Sequence, residues 1–165
     1  MNDGVIVVGY PGIGKTTLSQ TSDHFLDLES SCFRVDNEHI EDWEIVYCQV
    51  AVHLAKQGYV VFCSSHKIIR DRLWTMDLPD CVHKMCVVPS EDLKDQWIEK
   101  LKLRHEGSRY LKDFYAYVRA SERYIEDIKS IKNDFDVILE LKSLEYDLEG
   151  LHKEKFADNF SLYLD

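Results

Sequence analysis

Gly9, Gly12 and Gly14 surround Tyr10, Pro11 and Ile13, and Lys15, Thr16 and Thr17 follow at once. Gly9, four further residues and then Gly14-Lys15-Thr16 match the spacing G-x-x-x-x-G-K-[ST]. Glycine permits the tight turns that aim successive backbone N–H groups at one anion, and the start of a following helix adds partial positive charge. A lysine at this place reaches the terminal phosphates of a nucleotide, and a threonine hydroxyl beside it helps hold Mg²⁺. Gly9, Pro11, Gly12, Ile13, Gly14, Lys15, Thr16 and Thr17 are therefore the expected cradle for ATP. The chain has only seven glycines, so three of them between positions 9 and 14 are more than a plain strand-to-helix turn requires.

Further along, FLDLESS places Asp27 and Glu29 two residues apart. On a strand that spacing points both carboxylates the same way, toward the strand end where α/β folds bind ligands. VVFCSSH offers Ser64, Ser65 and His66 at the end of another apolar run, followed by Arg70 and Arg72. A histidine so placed is ordinarily a cap or a surface residue. EKLKLRHEGSR gathers Lys100, Lys102, Arg104 and Arg109, and Arg123 lies beyond. Cations also end helices for reasons of the helix dipole alone.

These residues need elements to position them. Val5 to Val8 is a continuous aliphatic run, as in a strand buried on both faces, and a helix is expected from about Lys15. HFLDLESS reads as a second strand. In DWEIVYCQVAVHLAKQG, Trp43, Val46, Val50 and Leu54 recur at helical intervals, with Gly58 as the stop. YVVFCSSH and HKMCVVP give a third and fourth strand, and Ser90 can cap the helix whose apolar stripe is Leu93, Trp97, Ile98 and Leu101. Leu111, Phe114, Val118, Ile125 and Ile128 suggest a further helix, FDVILEL a fifth strand, and the remainder reads as helical or loose. Alternating strands and helices predict one α/β domain over residues 1–165 with a parallel sheet.

Composition narrows the field. A formal charge of −10 disfavours broad, non-specific binding to nucleic acid or acidic membranes, although a local basic patch can still take DNA. The five cysteines include no CxxC pair, so reduced thiols fit better than a disulfide framework or a zinc site. No window approaches a membrane span, and Asp3 and Gly4 precede the short first apolar run, so a cytoplasmic protein is expected.

Gly9 to Thr16 resembles the phosphate loop (Walker A) of P-loop NTPases, and the short chain resembles the small kinases among them, such as adenylate, shikimate, gluconate and deoxynucleotide kinases. That resemblance implies a three-layer αβα fold, a five-stranded parallel sheet in the order 2-3-1-4-5, and a helical lid, here around residues 100–125. Asp27 and Glu29 resemble the D-x-D element of shikimate- and gluconate-type kinases, implying that Asp27 joins Thr16 at Mg²⁺ while either acid positions or deprotonates the acceptor. The third strand departs from the family by lacking its usual metal-orienting aspartate. Asp27 must then supply that charge, leaving Ser64, Ser65, His66 and Arg70 as acceptor contacts. Leu101 and Arg104 match the R-L-x-x-R entrance to a kinase lid, with Lys100 in place of the first arginine, so Arg104 is expected to stabilise the transferring phosphoryl group. DLESS with VFCSSH is also similar to bacteriophage kinase-like proteins, some of which phosphorylate hydroxymethylated pyrimidines in DNA. The expectation is transfer from ATP to a nucleoside, nucleotide or similar small acceptor. Transfer to modified DNA and a non-kinase ATP-binding regulator are the alternatives.

Overall fold

In the computed structural model, residues 3–21, 23–36 and 38–144 are described. The stretch from residue 145 onward, read above as helical or loose, lies outside them.

The aliphatic run Val5–Val8 forms the middle of strand β1 (Gly4–Gly9), in which every residue is buried, so both faces of the strand are covered. The other sheet strands are β2 (Phe25–Asp27), β5 (Val60–Ser64), β6 (Val82–Pro89) and β7 (Ile138–Leu141). They form one five-stranded sheet in the order β2-β5-β1-β6-β7, and every neighbouring pair is parallel. Helices flank it: α1 (Lys15–Thr21), α2 (Trp43–Lys56), α3 (Lys67–Thr75), α4 (Lys94–Glu106) and α5 (Leu111–Asn133). Gly4 is needed where the end of α2 meets β1, because a Cβ there would lie 1.8 Å from the Ala55 carbonyl oxygen.

The register sets the site. Gly9 lies opposite Ser64 on one side and Val87 on the other, so β1, β5 and β6 present their C-terminal ends along one edge. Asp27 ends β2 opposite Phe62 on the same edge.

Three local expectations change. In α2 the buried residues are Trp43, Tyr47, Cys48, Ala51 and Ala55, whereas Val46 is exposed. Small Cys48, Ala51 and Ala55 let the helix approach the sheet closely, which turns the larger aliphatics outward. In α5 the stripe from Leu111 holds only in the second half, where Ala120, Tyr124, Ile128 and Ile131 are buried. Leu111 and Phe114 are exposed because the first half of α5 packs beside α4 rather than on the sheet. Between β2 and α2 the chain makes an unexpected hairpin of β3 (Arg34–Val35) and β4 (Glu38–His39). It is too short and too polar to carry a hydrophobic alternation.

The long helix α5 is kinked at Arg123, whose φ of −137° and ψ of 24° are not helical. Arg119 spans the kink with two hydrogen bonds to Asp127, at 2.8 and 3.0 Å. Its C-terminal half is tied to the body where the Tyr124 hydroxyl donates to the Ser90 carbonyl at 2.7 Å. No helix among the described residues is long and apolar enough to cross a membrane.

Candidate functional site

The turn from β1 into α1 uses positive φ at Gly12 (90°) and Gly14 (99°), a region that L side chains rarely adopt. Lys15 opens α1 and folds back over the loop, with its ammonium 3.4 Å from the Gly9 carbonyl oxygen. Burial pushes the Lys15 pKa down, and the carboxylates of Asp27 and Glu29 partly restore it. A phosphate arriving at this ammonium would supply the negative charge that the desolvated site favours.

The Thr16 hydroxyl donates to Asp27 Oδ2 at 3.0 Å, which joins the first turn of α1 to the end of β2. Burial raises the Asp27 pKa; Lys15 opposes the rise, and Glu29 adds to it. Strand β2 stops at Asp27, but the backbone stays extended through Glu29 (φ −80°, ψ 131°), so the two acids still reach one cavity. Glu29 meets Lys112 from the start of α5 at 3.3 Å. Thr17 follows in α1, and its side chain lies outside the described features.

The cavity has a volume of about 1140 Å³ and is walled by the glycine loop, the ends of β2 and β5, the first turn of α3 and the faces of α4 and α5. That exceeds the range of roughly 300–1000 Å³ for a site holding one small ligand. A shallower pocket of about 680 Å³ adjoins it and shares Thr16, Arg104, Lys112 and Asp113. Ser64, Ser65 and His66 line the same cavity as Glu29. Arg70 reaches the same wall; it is buried, and its Nε and Nη1 are bonded to the Ser65 carbonyl, Ser130 and Asp134. Arg104 lines both pockets and pairs with Asp113 at 3.1 Å.

Four side chains make contacts that the sequence motifs do not reveal. The Tyr47 hydroxyl donates to the Leu28 carbonyl at 2.6 Å and accepts from the Ser64 amide at 2.8 Å. Since Leu28 N–H already donates to Phe62, Ser64 N–H to Leu28 O would be the next rung of the β2–β5 ladder. The hydroxyl takes that rung's place, and the two strands splay where the cavity opens. Burial pushes the Tyr47 pKa far up, so the hydroxyl stays a donor. On the opposite side, Trp97 Nε1 donates to the Pro11 carbonyl at 2.9 Å and Lys100 Nζ to the Gly12 carbonyl at 2.7 Å. Helix α4 thereby holds the outer carbonyls of the loop. Lys112 is the fourth, through Glu29. In the sequence Trp97 stands only as part of an apolar stripe and Lys100 only as a lid cation, while Tyr47 and Lys112 carry no signal.

His66 is exposed by area, yet desolvation lowers its pKa, followed by the charges of Lys15, Arg119, His39 and Arg34. Cys48, Cys63 and Cys86 are buried thiols whose pKa values burial pushes up to about 12. They offer no thiolate chemistry at neutral pH.

Among the described residues no group of three or more His, Cys, Asp or Glu side chains stands ready to hold a metal ion. Magnesium usually takes one or two protein oxygens and fills its remaining positions with water and substrate phosphates. The hydroxyl of Thr16 and the carboxylate of Asp27 are hard oxygen donors already side by side, and they fit such an ion. No protein-family model matches the chain, and no curated protein matches it in sequence.

Proposed function

We propose that this chain is a P-loop phosphotransferase that moves the γ-phosphoryl group of Mg²⁺-ATP to a nucleoside, nucleotide or similar small acceptor. The observation that carries the reading is one arrangement. A G-x-x-x-x-G-K-T loop leaves the buried central strand β1, and its Thr16 bonds Asp27 at the end of β2, at the mouth of a cavity large enough for two substrates. The strand order and the all-parallel pairing support it.

On this reading the loop amides from Gly12 to Thr16 and the Lys15 ammonium bind the phosphates, while α4 holds the loop carbonyls outward through Trp97 and Lys100. Thr16 and Asp27 would hold Mg²⁺, which when bound would neutralise charge on the phosphate oxygens. Glu29, in the same cavity as Ser65, orients the acceptor hydroxyl and takes its proton as the new O–P bond forms and the bond to ADP breaks. Arg104 and Lys112, on the lid side, exclude water and stabilise the equatorial oxygens. Catalysis is then positioning and electrostatics, without a covalent intermediate.

A second reading, transfer to a modified base in DNA, is favoured by the cavity rim. Exposed Tyr110 and Tyr115 stand there among Arg109, Lys112 and Arg119, and aromatic faces beside cations suit single strands.

The test is a transfer assay with γ-labelled ATP on wild type and Lys15→Ala. Mg²⁺-ATP should raise the melting temperature of the wild type through mass action, and Lys15→Ala should remain folded while losing transfer. Wild-type turnover in the variant would end the mechanism. A nucleotide-induced thermal shift with no transfer to any acceptor would make the chain an ATP-binding regulator.

A further inference from the structure

The cavity is far more basic than the chain around it. Among the described residues, nine lysines and arginines line it against four carboxylates, in a protein of net charge −10. Arg70 is balanced from outside the lining by Asp134, and a magnesium triphosphate neutralises about two of the remaining positive charges. Positive charge is left over in the cavity.

That surplus has a location. Arg34, in the β3–β4 hairpin, donates from Nε to His39 Nε2 at 3.2 Å. The His39 ring is held flat against Trp43, with centroids 4.0 Å apart and planes inclined by 12°. Desolvation first, and then Arg34, lower the His39 pKa, so its ring stays a neutral acceptor and returns no charge to the guanidinium. Among the described residues neither Nη group of Arg34 meets a protein acceptor. Lys67, which lines the same cavity, has among the described residues the i,i+4 partner Asp71 alone, in a pair more than half exposed on both sides. Such a pair holds its members weakly. His66 lines the same cavity, and its shift, after desolvation, comes entirely from positive or histidine neighbours, Lys15 first and Arg34 among them. Tyr115 and Ile68 offer exposed apolar faces beside it.

We propose that the second substrate carries a phosphate ester, a nucleotide rather than a bare nucleoside or polyol, with its phosphate taken by Arg34 and Lys67 and its base lying against Tyr115 and Ile68. This rests on the phosphotransferase reading above and names the acceptor class for it. The shared chemistry is a nucleoside phosphate, free or within a strand.

The experiment measures binding, by calorimetry and thermal shift, with and without a non-hydrolysable ATP analogue and Mg²⁺. The probes are thymidine, thymidine 5′-monophosphate, the other three deoxynucleoside monophosphates, a short oligothymidylate and gluconate. Wild type, Arg34→Gln and Lys67→Gln are compared. At least one phosphate-bearing probe should bind ten-fold or more tightly than thymidine, and each substitution should weaken it about ten-fold without changing affinity for the ATP analogue. A free nucleotide whose affinity changes little with salt identifies a small acceptor, and a strand whose affinity falls steeply with salt identifies the polymer. Either supports the inference. No phosphate-bearing probe binding more tightly than thymidine, no binding of any phosphate-bearing probe, or unchanged affinity in both variants overturns it. Loss of the ATP-analogue shift in wild type would instead remove the phosphotransferase reading, so the two failures are distinct.

Discussion

Replacing Tyr47 by phenylalanine tests whether one hydroxyl keeps β2 and β5 apart. The ring is fully buried and would keep its packing, so the change is confined to two hydrogen bonds, to the Leu28 carbonyl and from the Ser64 amide. If the strands stay splayed, two partly buried backbone groups lose their partner, at a cost of about 2–4 kcal/mol in all. A chain of 165 residues loses roughly 2–4 °C of melting temperature per kcal/mol, which predicts a fall on the order of 5–15 °C. If the strands instead close, Leu28 O and Ser64 N come into direct contact at about 2.9 Å, and Ser64 and Ser65 move some 2 Å toward Glu29. Stability is then largely recovered, but the acceptor side of the cavity narrows. Misplacement on this scale can cost on the order of 100-fold in turnover. Thermal unfolding of the ligand-free protein, followed by separate KM values for ATP and acceptor, distinguishes the two responses. In the first the melting temperature falls; in the second the acceptor KM rises while that for ATP holds. A variant within about 1 °C of wild type and with both KM values unchanged would refute the wedge.

Trp97→Phe removes the donor to Pro11 and leaves a void of roughly 40 Å³; it should cost about 2–3 kcal/mol and weaken Mg²⁺-ATP, and a purely structural loss with unchanged ATP affinity would show that α4 does not hold the loop. Asp27→Asn should raise the ligand-free melting temperature at neutral pH, because the folded-state pKa of Asp27 lies above its unfolded value and ionisation costs stability as pH rises through it. The gain should vanish below about pH 4, and the shift produced by Mg²⁺-ATP should shrink; calorimetric scans at both pH values check this. For His66 the sign is opposite: its folded pKa lies below about 6.5, so the wild type loses stability as pH falls below that value, and His66→Gln should flatten the acid side of the melting profile. An unchanged profile would mean that neither desolvation nor the neighbouring cations act on the ring.

Much of this architecture can be read from the sequence, for identifiable reasons. The runs Val5–Val8 and Val60–Phe62 are continuous and aliphatic because their strands are covered on both faces, so strand, loop and helix follow one another plainly. Asp27, Ser65 and Arg104 are also legible, since each sits at the end of an element that the pattern delimits. What cannot be read is contact across the chain. Tyr47 is one more apolar position in α2 until its hydroxyl is seen between residues 28 and 64. Lys100 resembles a substituted lid cation, whereas its ammonium is bonded to Gly12, 88 residues away. Arg70 has the right type and spacing for a ligand contact, and only its burial against Asp134 shows that its charge is spent. Leu111 fits a helical stripe, yet more than four-fifths of it is exposed, because periodicity does not say whether another surface faces the stripe.

Burial also sorts the cations. Around the cavity most basic side chains have a carboxylate partner, as an acidic protein must provide if like charges are to stand close together. The partners differ in what it costs to lose them. Arg70 and Asp134 form a buried pair, and separating such a pair costs about 3–5 kcal/mol, more than one ligand contact returns. Lys112 with Glu29 is exposed on both sides, a pair worth roughly 0–1 kcal/mol, whereas Arg104 is half exposed but its partner Asp113 is buried and costs more to leave unpaired. A phosphate can take over Lys112 at little cost, and its charge-assisted bonds are the stronger ones. On the proposed reading Lys112 is therefore stored rather than spent. An arriving phosphate exchanges partners with Glu29, which is released from Lys112 to face the acceptor. Arg119, bound twice to Asp127 across the kink at Arg123, is the intermediate case. Its release would cost more, and would loosen the bend that sets the first half of α5 over the cavity.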